Sequence, residues 1–231
     1  MSLLSIITVN LNNKLGLEKT LSSLAIQKKK KTKVELIVID GGSKDGSIDI
    51  IKKYSKIVDY YVSEKDVNLY DAMNKGIKYS KNKYIIFINS GDNLLFKKNI
   101  LKKILLRLAK PTNYVFRFTV SGYGYVWRSS PKRICHEAVV FLNKKKIFYD
   151  ITKNPFADGY YINENFKKYG KKFENLFILN FNLGGISNNF LKYSLKLSFF
   201  NQIKFLFYKI TGAKMYHSIS YWLKNYKKNE K

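Results

Sequence analysis

Two carboxylates of this chain stand where the sequence pattern places chemistry. Tyr84 to Ile88 is a five-residue apolar run, rich in β-branched and aromatic types and too short for a helix, and Asn89, Ser90, Gly91, Asp92 and Asn93 follow at once. The run predicts a buried central strand that ends in a polar turn. In open α/β sheets, ligands bind just beyond the carboxyl ends of the strands, so a carboxylate at Asp92 sits where a metal ion or a phosphate-bearing substrate is met. Taken alone, an Asp after a strand reads first as a turn residue or helix cap. The pattern recurs, however: Leu3 to Val9 runs into Asn10, Asn12 and Asn13, and Val34 to Ile39 runs into Asp40.

The segments between these strands must bring their ends together. Leu17, Leu21, Leu24 and Ala25 fall on one face of a helix predicted over about Leu15 to Gln27. After Asp40, the glycines of GGSKDGS allow a tight turn, with Ser47 expected as N-cap and Asp49 in the first turn of a second helix. Their spacing and place after the second strand do not match a dinucleotide fingerprint. Val58 to Val62 is a short third strand, and Tyr70, Met73 and Ile77 line one face of a helix starting near Leu69. The order β-α-β-α-β-α-β argues for an α/β fold with a mostly parallel sheet and helices on both faces. Right-handed crossovers then carry Asn10, Asp40 and Asp92 to one edge of that sheet.

Beyond Asp92 the pattern changes to α+β. A helix is expected from about Lys98 to Lys110, closed by Pro111; Tyr114 to Val120 and Tyr123 to Arg128 flank Ser121-Gly122 like a hairpin. Ile134 to Phe141 and Leu176 to Asn180 read as strands, with a polar helix near Ile162 to Tyr169 between them. Residues 188–231 form a basic, aromatic-rich segment read as C-terminal helices. Its apolar residues surround the helical wheel, so it either packs on the domain or lies on a membrane surface.

With 231 residues, the chain suffices for one well-cored domain and an appendage. A formal charge of +27 suits nucleic acid, an anionic membrane face or a polyanionic substrate, yet the lysines are scattered as a codon-biased genome would scatter them. Cys135 is the single cysteine, which points to a reducing compartment. The N-terminus has neither the basic region nor the cleavage pattern of a signal peptide, and no stretch is apolar over the length needed to span a bilayer.

Four segments in order carry a resemblance: SIITVNLNN (5–13), VIDGGSKDGS (38–47), LYDAMNKGI with FINSGD (69–92), and CHEAVVF with FADGYY and LGGIS (135–187). Together they resemble bacterial family 2 glycosyltransferases of the GT-A fold, in the branch that builds cell-surface polysaccharides. The resemblance implies a single GT-A domain over residues 1–187, with residues 1–95 binding the nucleotide sugar and 96–187 the acceptor.

It also implies roles. Thr8, Asn10, Asp40 and Gly41 line the nucleotide pocket, where the Asp40 carboxylate, an acceptor only, takes a base N–H. Asp71, Asn74 and Gly76 belong to the donor-binding helix, Gly76 allowing close approach of a ligand. Many relatives carry Arg where this chain has Met73. Asp92 is both donor-binding and the metal ligand, for Mn²⁺ or Mg²⁺ shared with diphosphate oxygens; the family commonly has paired aspartates where this chain has Ser90, Gly91 and Asp92. Among catalytic positions, His136 reads equally from its residues as a structural histidine and as a diphosphate or acceptor contact. Glu137 stands where relatives often have Gln, and Asp158, expected on a loop, has the place of the general base.

The function implied is inverting transfer of a sugar, from a UDP-sugar before other donors, to a hydroxyl of a glycan or lipid-linked glycan. The expected location is cytoplasmic, with peripheral contact at the inner membrane face. A sugar-nucleotide-forming nucleotidyltransferase would carry a glycine- and arginine-rich phosphate loop, which NLNNKLG does not supply. A nucleic-acid-binding protein would carry a clustered basic stripe, and none is expected here.

Overall fold

The computed structural model describes residues 3–28, 34–95, 99–122, 125–129, 134–154 and 157–182. Its first half alternates as the apolar runs require: β1 Leu4–Asn10, α1 Lys14–Gln27, β2 Val34–Asp40, α2 Ser47–Lys53, β3 Tyr60–Ser63, α3 Leu69–Tyr79 and β4 Tyr84–Phe87. β1 pairs in parallel with β2 on one side and β4 on the other, and β3 pairs in parallel with β2. The register sets Asn10 opposite Asp40, so the two polar strand ends are neighbours.

The second half extends this sheet through β5 Asn93–Leu94, α4 Ile100–Leu105, β6 Asn113–Gly122, β7 Tyr125–Arg128, β8 Val139–Leu142, α5 Ala157–Tyr169 and β9 Lys171–Asn182. The strand order is β3-β2-β1-β4-β8-β6-β9-β5, with β7 on β6. β8 runs antiparallel to both β4 and β6, so β6 points the same way as β4, and β9 runs parallel to β6.

Side-chain alternation along the central strands divides the core into two layers. Leu4 and Ile6 of β1, Leu36 and Val38 of β2, and Tyr84 and Ile86 of β4 pack with Leu17, Leu21 and Leu24 of α1, Ile50 and Ile51 of α2, and α4. Ile7, Val9, Ile37, Ile39, Ile85 and Phe87 point the other way, onto Tyr70, Met73 and Ile77 of α3 and Ala157 and Tyr161 of α5. Both faces are therefore covered. None of the helices among the described residues is long and apolar enough to cross a membrane.

Several boundaries differ from the sequence-based expectation. The helix expected over 98–110 is only Ile100–Leu105. Asn99 precedes it in the left-handed conformation, Gln27 Oε1 accepts from the Ile100 N–H, and past Leu105 the bonds shorten to i−3, as from Arg107 N–H to the Ile104 carbonyl. Ser47 is the first helical residue of α2 and not its cap. Gly46 takes the cap position at φ 86°, and Asp45 Oδ1 accepts from the Ser47 N–H at 3.0 Å. The hairpin pairs Ser121 with Val126 and Gly122 with Tyr125, so the expected turn residues belong to the strand. Ile134 to Phe141 is not one strand, because His136–Ala138 make a turn of 3-10 helix before β8. Asp158 lies in the first turn of α5, not on a loop. The LGGIS motif and the expected helical segment 188–231 lie outside the described residues.

Candidate active site

The end of β2 is organised by Asp40, which is fully buried. Its Oδ1 accepts from Asn10 Nδ2 at 2.8 Å and from Ser43 Oγ at 2.6 Å; its Oδ2 accepts from the Ser43 N–H at 2.9 Å and from Ser63 Oγ at 2.7 Å. Burial pushes this carboxyl up, but the bonds from Ser43, Ser63 and Asn10 outweigh it and hold the pKa below the ordinary value. A carboxylate offers about four lone-pair sites, and here all are taken by the chain's own donors. The expected direct bond from Asp40 to a base N–H therefore has no vacancy in this arrangement.

What remains open at this edge is a set of acceptors. Thr8 Oγ1, Asn10 Oδ1 and Asn89 Oδ1 are buried and find no hydrogen-bond partner among the described residues. All three sit at the carboxyl ends of β1 and β4. Buried polar atoms in folded proteins are nearly always satisfied, so orphaned oxygens gathered at one edge mark a place for a ligand's donors, a cation or water. Gly41 adjoins them, its N–H donating to the Asn10 carbonyl at 2.8 Å. A Cβ at Gly41 would stand 3.1 Å from both Asp66 Oδ2 and Leu11 Cδ1, so those side chains already close against the bare backbone at this corner.

The loop after β4 is stitched to α1. Thr20 Oγ1 donates to the Asp92 carbonyl at 2.6 Å and accepts from the Gly91 N–H at 3.0 Å, while Asn13 Nδ2 donates to the Ser90 carbonyl at 3.2 Å. Gly91 has φ 106°, a conformation that a residue with a Cβ rarely adopts. Asp92, buried to 5% exposure, is thus presented by a fixed turn. Across the edge, Asn89 Nδ2 donates to Glu137 Oε1 at 3.1 Å, and Cys135 Sγ donates to Glu137 Oε2 at 2.9 Å. Burial first, then the charges of Glu137 and Asp92, push the Cys135 thiol well above its ordinary range, so it remains a donor.

The other predicted residues lie on the α3–α5 face. His136 is buried among Phe87, Phe141, Tyr149 and Tyr161, and its Nε2 shares a hydrogen bond with Tyr149 Oη. Burial lowers its pKa, against the opposing charges of Glu137 and Asp158, which places both carboxylates within electrostatic reach of the ring. Asp158 is partly exposed, and its Oδ1 accepts from the Gly159 N–H at 2.8 Å. Asp71 Oδ2 accepts from the Val67 N–H at 3.0 Å and so closes the N-terminus of α3.

Two α3 residues expected to meet the donor make their contacts with the protein. Asn74 Oδ1 accepts from the Tyr149 N–H at 2.7 Å and its Nδ2 donates to the Tyr149 carbonyl at 3.0 Å, so the side chain clamps backbone 75 positions away in sequence. Gly76 meets the sheet: a Cβ there would overlap Cγ2 of Ile7. Its small size is required by helix-on-sheet packing. Sequence reasoning missed Thr20, Ser43, Ser63, Asn89 and Tyr149. Ser43 sits three residues after Asp40, a spacing that signals an Asx-type turn, whereas Tyr149 carried no local signal.

Among the described residues no three His, Cys, Asp or Glu gather to hold a metal by themselves. The Asp92 carboxylate is an oxygen donor of the type a hard cation takes, and such an ion would draw its other ligands from diphosphate oxygens and water.

Comparisons with known proteins bear on the fold and the family. The chain is 31% identical over 194 residues to poly(ribitol-phosphate) beta-N-acetylglucosaminyltransferase TarP of Staphylococcus aureus, covering 78% of this chain and 58% of TarP, so it spans a little over half of that relative's length. The crystal structure of S. aureus TarS 1-349 superposes with a TM-score of 0.67 at 15% identity, covering 84% of this chain and 64% of TarS. Its complex with UDP-GlcNAc gives 0.66 at 15% identity, covering 80% and 59%. The mannosyltransferase PcManGT of Pyrobaculum calidifontis, in complex with GDP-Man and Mn2+, gives 0.63 at 13% identity, covering 84% and 60%. These structures share the fold. Residues 5–183 match the family model described as glycosyl transferase family 2, so the chain belongs to that family.

Proposed function

We propose that this domain transfers a sugar, with inversion, from a UDP-sugar to a hydroxyl of a glycan or lipid-linked glycan in the synthesis of a surface polysaccharide. The observation that carries the reading is the row of unsatisfied buried oxygens, Thr8 Oγ1, Asn10 Oδ1 and Asn89 Oδ1, at the strand ends beside the turn that presents Asp92. A nucleoside supplies N–H and O–H donors for such acceptors. Asp40 then acts on the nucleotide through Asn10 and Ser43, whose positions it fixes, with Gly41 lining the same pocket. Asp71 holds the entry to α3, and Asn74 and Gly76 seat that helix. The structural neighbours include complexes with UDP, UDP-GlcNAc and GDP-Man, and uridine is placed first because of the 31% identity to an N-acetylglucosaminyltransferase.

Asp92 would hold Mn²⁺ or Mg²⁺, an ion that neutralises the leaving diphosphate as a Lewis acid. The chain's own part in the chemistry is to orient the donor and to move one proton. The acceptor oxygen forms its bond to the anomeric carbon on the face opposite the departing diphosphate, and its proton passes to a carboxylate oxygen of Asp158. Oδ1 of Asp158 already accepts from Gly159, which leaves Oδ2 for the proton. Glu137, held between Asn89 and Cys135, orients the acceptor side, and neutral His136 anchors Tyr149 behind it. The enzyme is expected to work in the cytoplasm, peripheral to the inner membrane face when the acceptor is lipid-linked.

Titration calorimetry of the full chain with UDP-, GDP- and dTDP-sugars, with and without Mn²⁺, tests the donor assignment. Mn²⁺-dependent binding of a UDP-sugar supports it; absence of binding by every sugar nucleotide overturns it.

A further inference from the structure

The chain places lysine almost wherever it needs a positive charge, and only four of its 43 basic residues are arginine. Three of those, Arg117, Arg128 and Arg133, fall within 17 consecutive positions of the second half. Guanidinium differs from ammonium in offering a planar fork that matches phosphate oxygens and a face that stacks on aromatic rings. A chain this rich in lysine that keeps arginine in one region has a use there for that geometry.

The structure shows two of them on one ring. The Arg117 guanidinium carbon lies 4.0 Å from the centroid of Phe177, and that of Arg128 lies 5.9 Å from the same centroid. The register explains the meeting: Arg117 pairs with Phe177 of β9, and Arg128 of β7 pairs with Thr119, two residues along from Arg117 on the same face of β6. Arg117 is held in place, its Nη1 donating to Asn175 Oδ1 at 2.9 Å and its Nη2 to the Ser129 carbonyl at 2.8 Å, while its buried Nε has no partner among the described residues. Neither arginine pairs with a carboxylate among the described residues. Glu174, the acidic residue on β9, is taken by Arg107 and Lys172. Two uncompensated guanidiniums on one aromatic ring repel each other, and an anion between them removes the penalty.

The pair also stands beside the candidate active site. Val115 pairs with Val139, where β8 begins directly after the His136–Ala138 turn. Arg117 lies two residues further along β6, the strand that also packs against the His136–Ala138 turn.

We propose that Arg117 and Arg128, gathered on Phe177, form a subsite for a phosphate group of the acceptor. The assignment of that phosphate to the acceptor rests on the glycosyltransfer reading above. The phosphate belongs either to the phosphodiester backbone of a polymer or to the diphosphate of a lipid-linked glycan, and both present the same doubly accepting oxygens to a guanidinium fork.

The experiment uses the full chain and three probes: a glycerol-phosphate phosphodiester oligomer, a short-chain prenyl-diphosphate-linked N-acetylglucosamine, and a neutral N-acetylglucosamine oligosaccharide. Wild type is expected to bind a phosphorylated probe at least about tenfold more tightly than the neutral one, with affinity falling as salt rises. Arg128→Gln, at an exposed side chain, should lose about tenfold of that affinity while the melting temperature and UDP-sugar affinity stay at wild-type values. Arg128→Lys should recover only part of it, because the charge returns without the fork. The tighter phosphorylated probe identifies the source of the phosphate. Equal binding of all three probes by wild type, or unchanged phosphate-probe affinity in Arg128→Gln and in the Arg117→Gln/Arg128→Gln pair, would overturn the subsite. Sugar-nucleotide binding is scored separately, so failure of the donor reading is seen as loss of that signal in wild type, whatever the arginine variants do.

Discussion

The side-chain amide of Asn74 and the backbone of Tyr149 close a two-bond ring, with Oδ1 accepting at 2.7 Å and Nδ2 donating at 3.0 Å. Tyr149 in turn stacks on Tyr161 with ring centroids 3.9 Å apart and bonds His136. Helix α3 thereby fixes the aromatic wall around His136. Asn74→Ala leaves two largely buried backbone groups without partners, at about 1–3 kcal/mol each. Urea denaturation should show a correspondingly lower midpoint; a change within 0.5 kcal/mol, the scale of an ordinary surface substitution, would show that the clamp is dispensable.

Gly76→Ala should destabilise the domain by about 1–3 kcal/mol, because the added methyl meets Ile7 and an overpacked helix–sheet contact must shift. Ile7→Ala removes the obstructing Cγ2. In a double-mutant cycle the Gly76→Ala penalty should shrink in the Ile7→Ala background. Strictly additive effects would place the cost elsewhere.

His136 makes stability depend on pH. Burial lowers its pKa in the folded state, so below the ordinary value of 6.5 the unfolded chain takes up a proton that the folded chain resists. Stability from this group is present above 6.5 and is lost as pH falls beneath it. Denaturation midpoints measured from about pH 8 to about pH 5 should decline on the acid side in wild type and decline less in His136→Phe. Parallel curves for the two proteins would contradict the buried neutral histidine. Asp40, whose pKa is also lowered, adds its loss in a separate window beneath 3.8.

Asp40→Ala strips the partner from Asn10, Ser43 and Ser63 at once, and should cost about 3 kcal/mol or more of stability. Nucleotide affinity should fall with it, because Asn10 and Ser43 lose their positions. Full stability with weakened nucleotide binding would instead mean that Asp40 meets the base directly.

The parallel half of the fold was legible because each strand is a continuous apolar run with a polar end, and β-α alternation fixes the handedness that gathers those ends. The site was legible only as far as backbone direction decides it: Asn10, Asp40 and Asp92 could be placed at one edge from topology. Asn74, Gly76 and Asp40 were expected at the site as ligand contacts, and the contacts each makes within the protein were not foreseen. Their partners Tyr149, Ile7 and Ser63 lie 23 to 75 positions away, and no local pattern announces a contact of that range. The strand expected at His136 failed for a similar reason. CHEAVVF has strand composition throughout, but the bond from the Ala138 N–H to the Cys135 carbonyl at 3.0 Å turns its first residues into 3-10 helix and sets Glu137 toward Asn89.

If the turn ending in Asp92 positions a nucleotide sugar for transfer, the Asp92 carboxylate and a divalent cation should both be needed to release the nucleotide. Release of UDP from UDP-N-acetylglucosamine can be followed for the full chain with Mn²⁺, with EDTA, and for Asp92→Asn. Wild type should show Mn²⁺-dependent release that EDTA abolishes, and a folded Asp92→Asn variant a rate lower by about a hundredfold or more, as for loss of a group that stabilises developing charge. Release by Asp92→Asn at the wild-type rate, or full activity in EDTA, would contradict it.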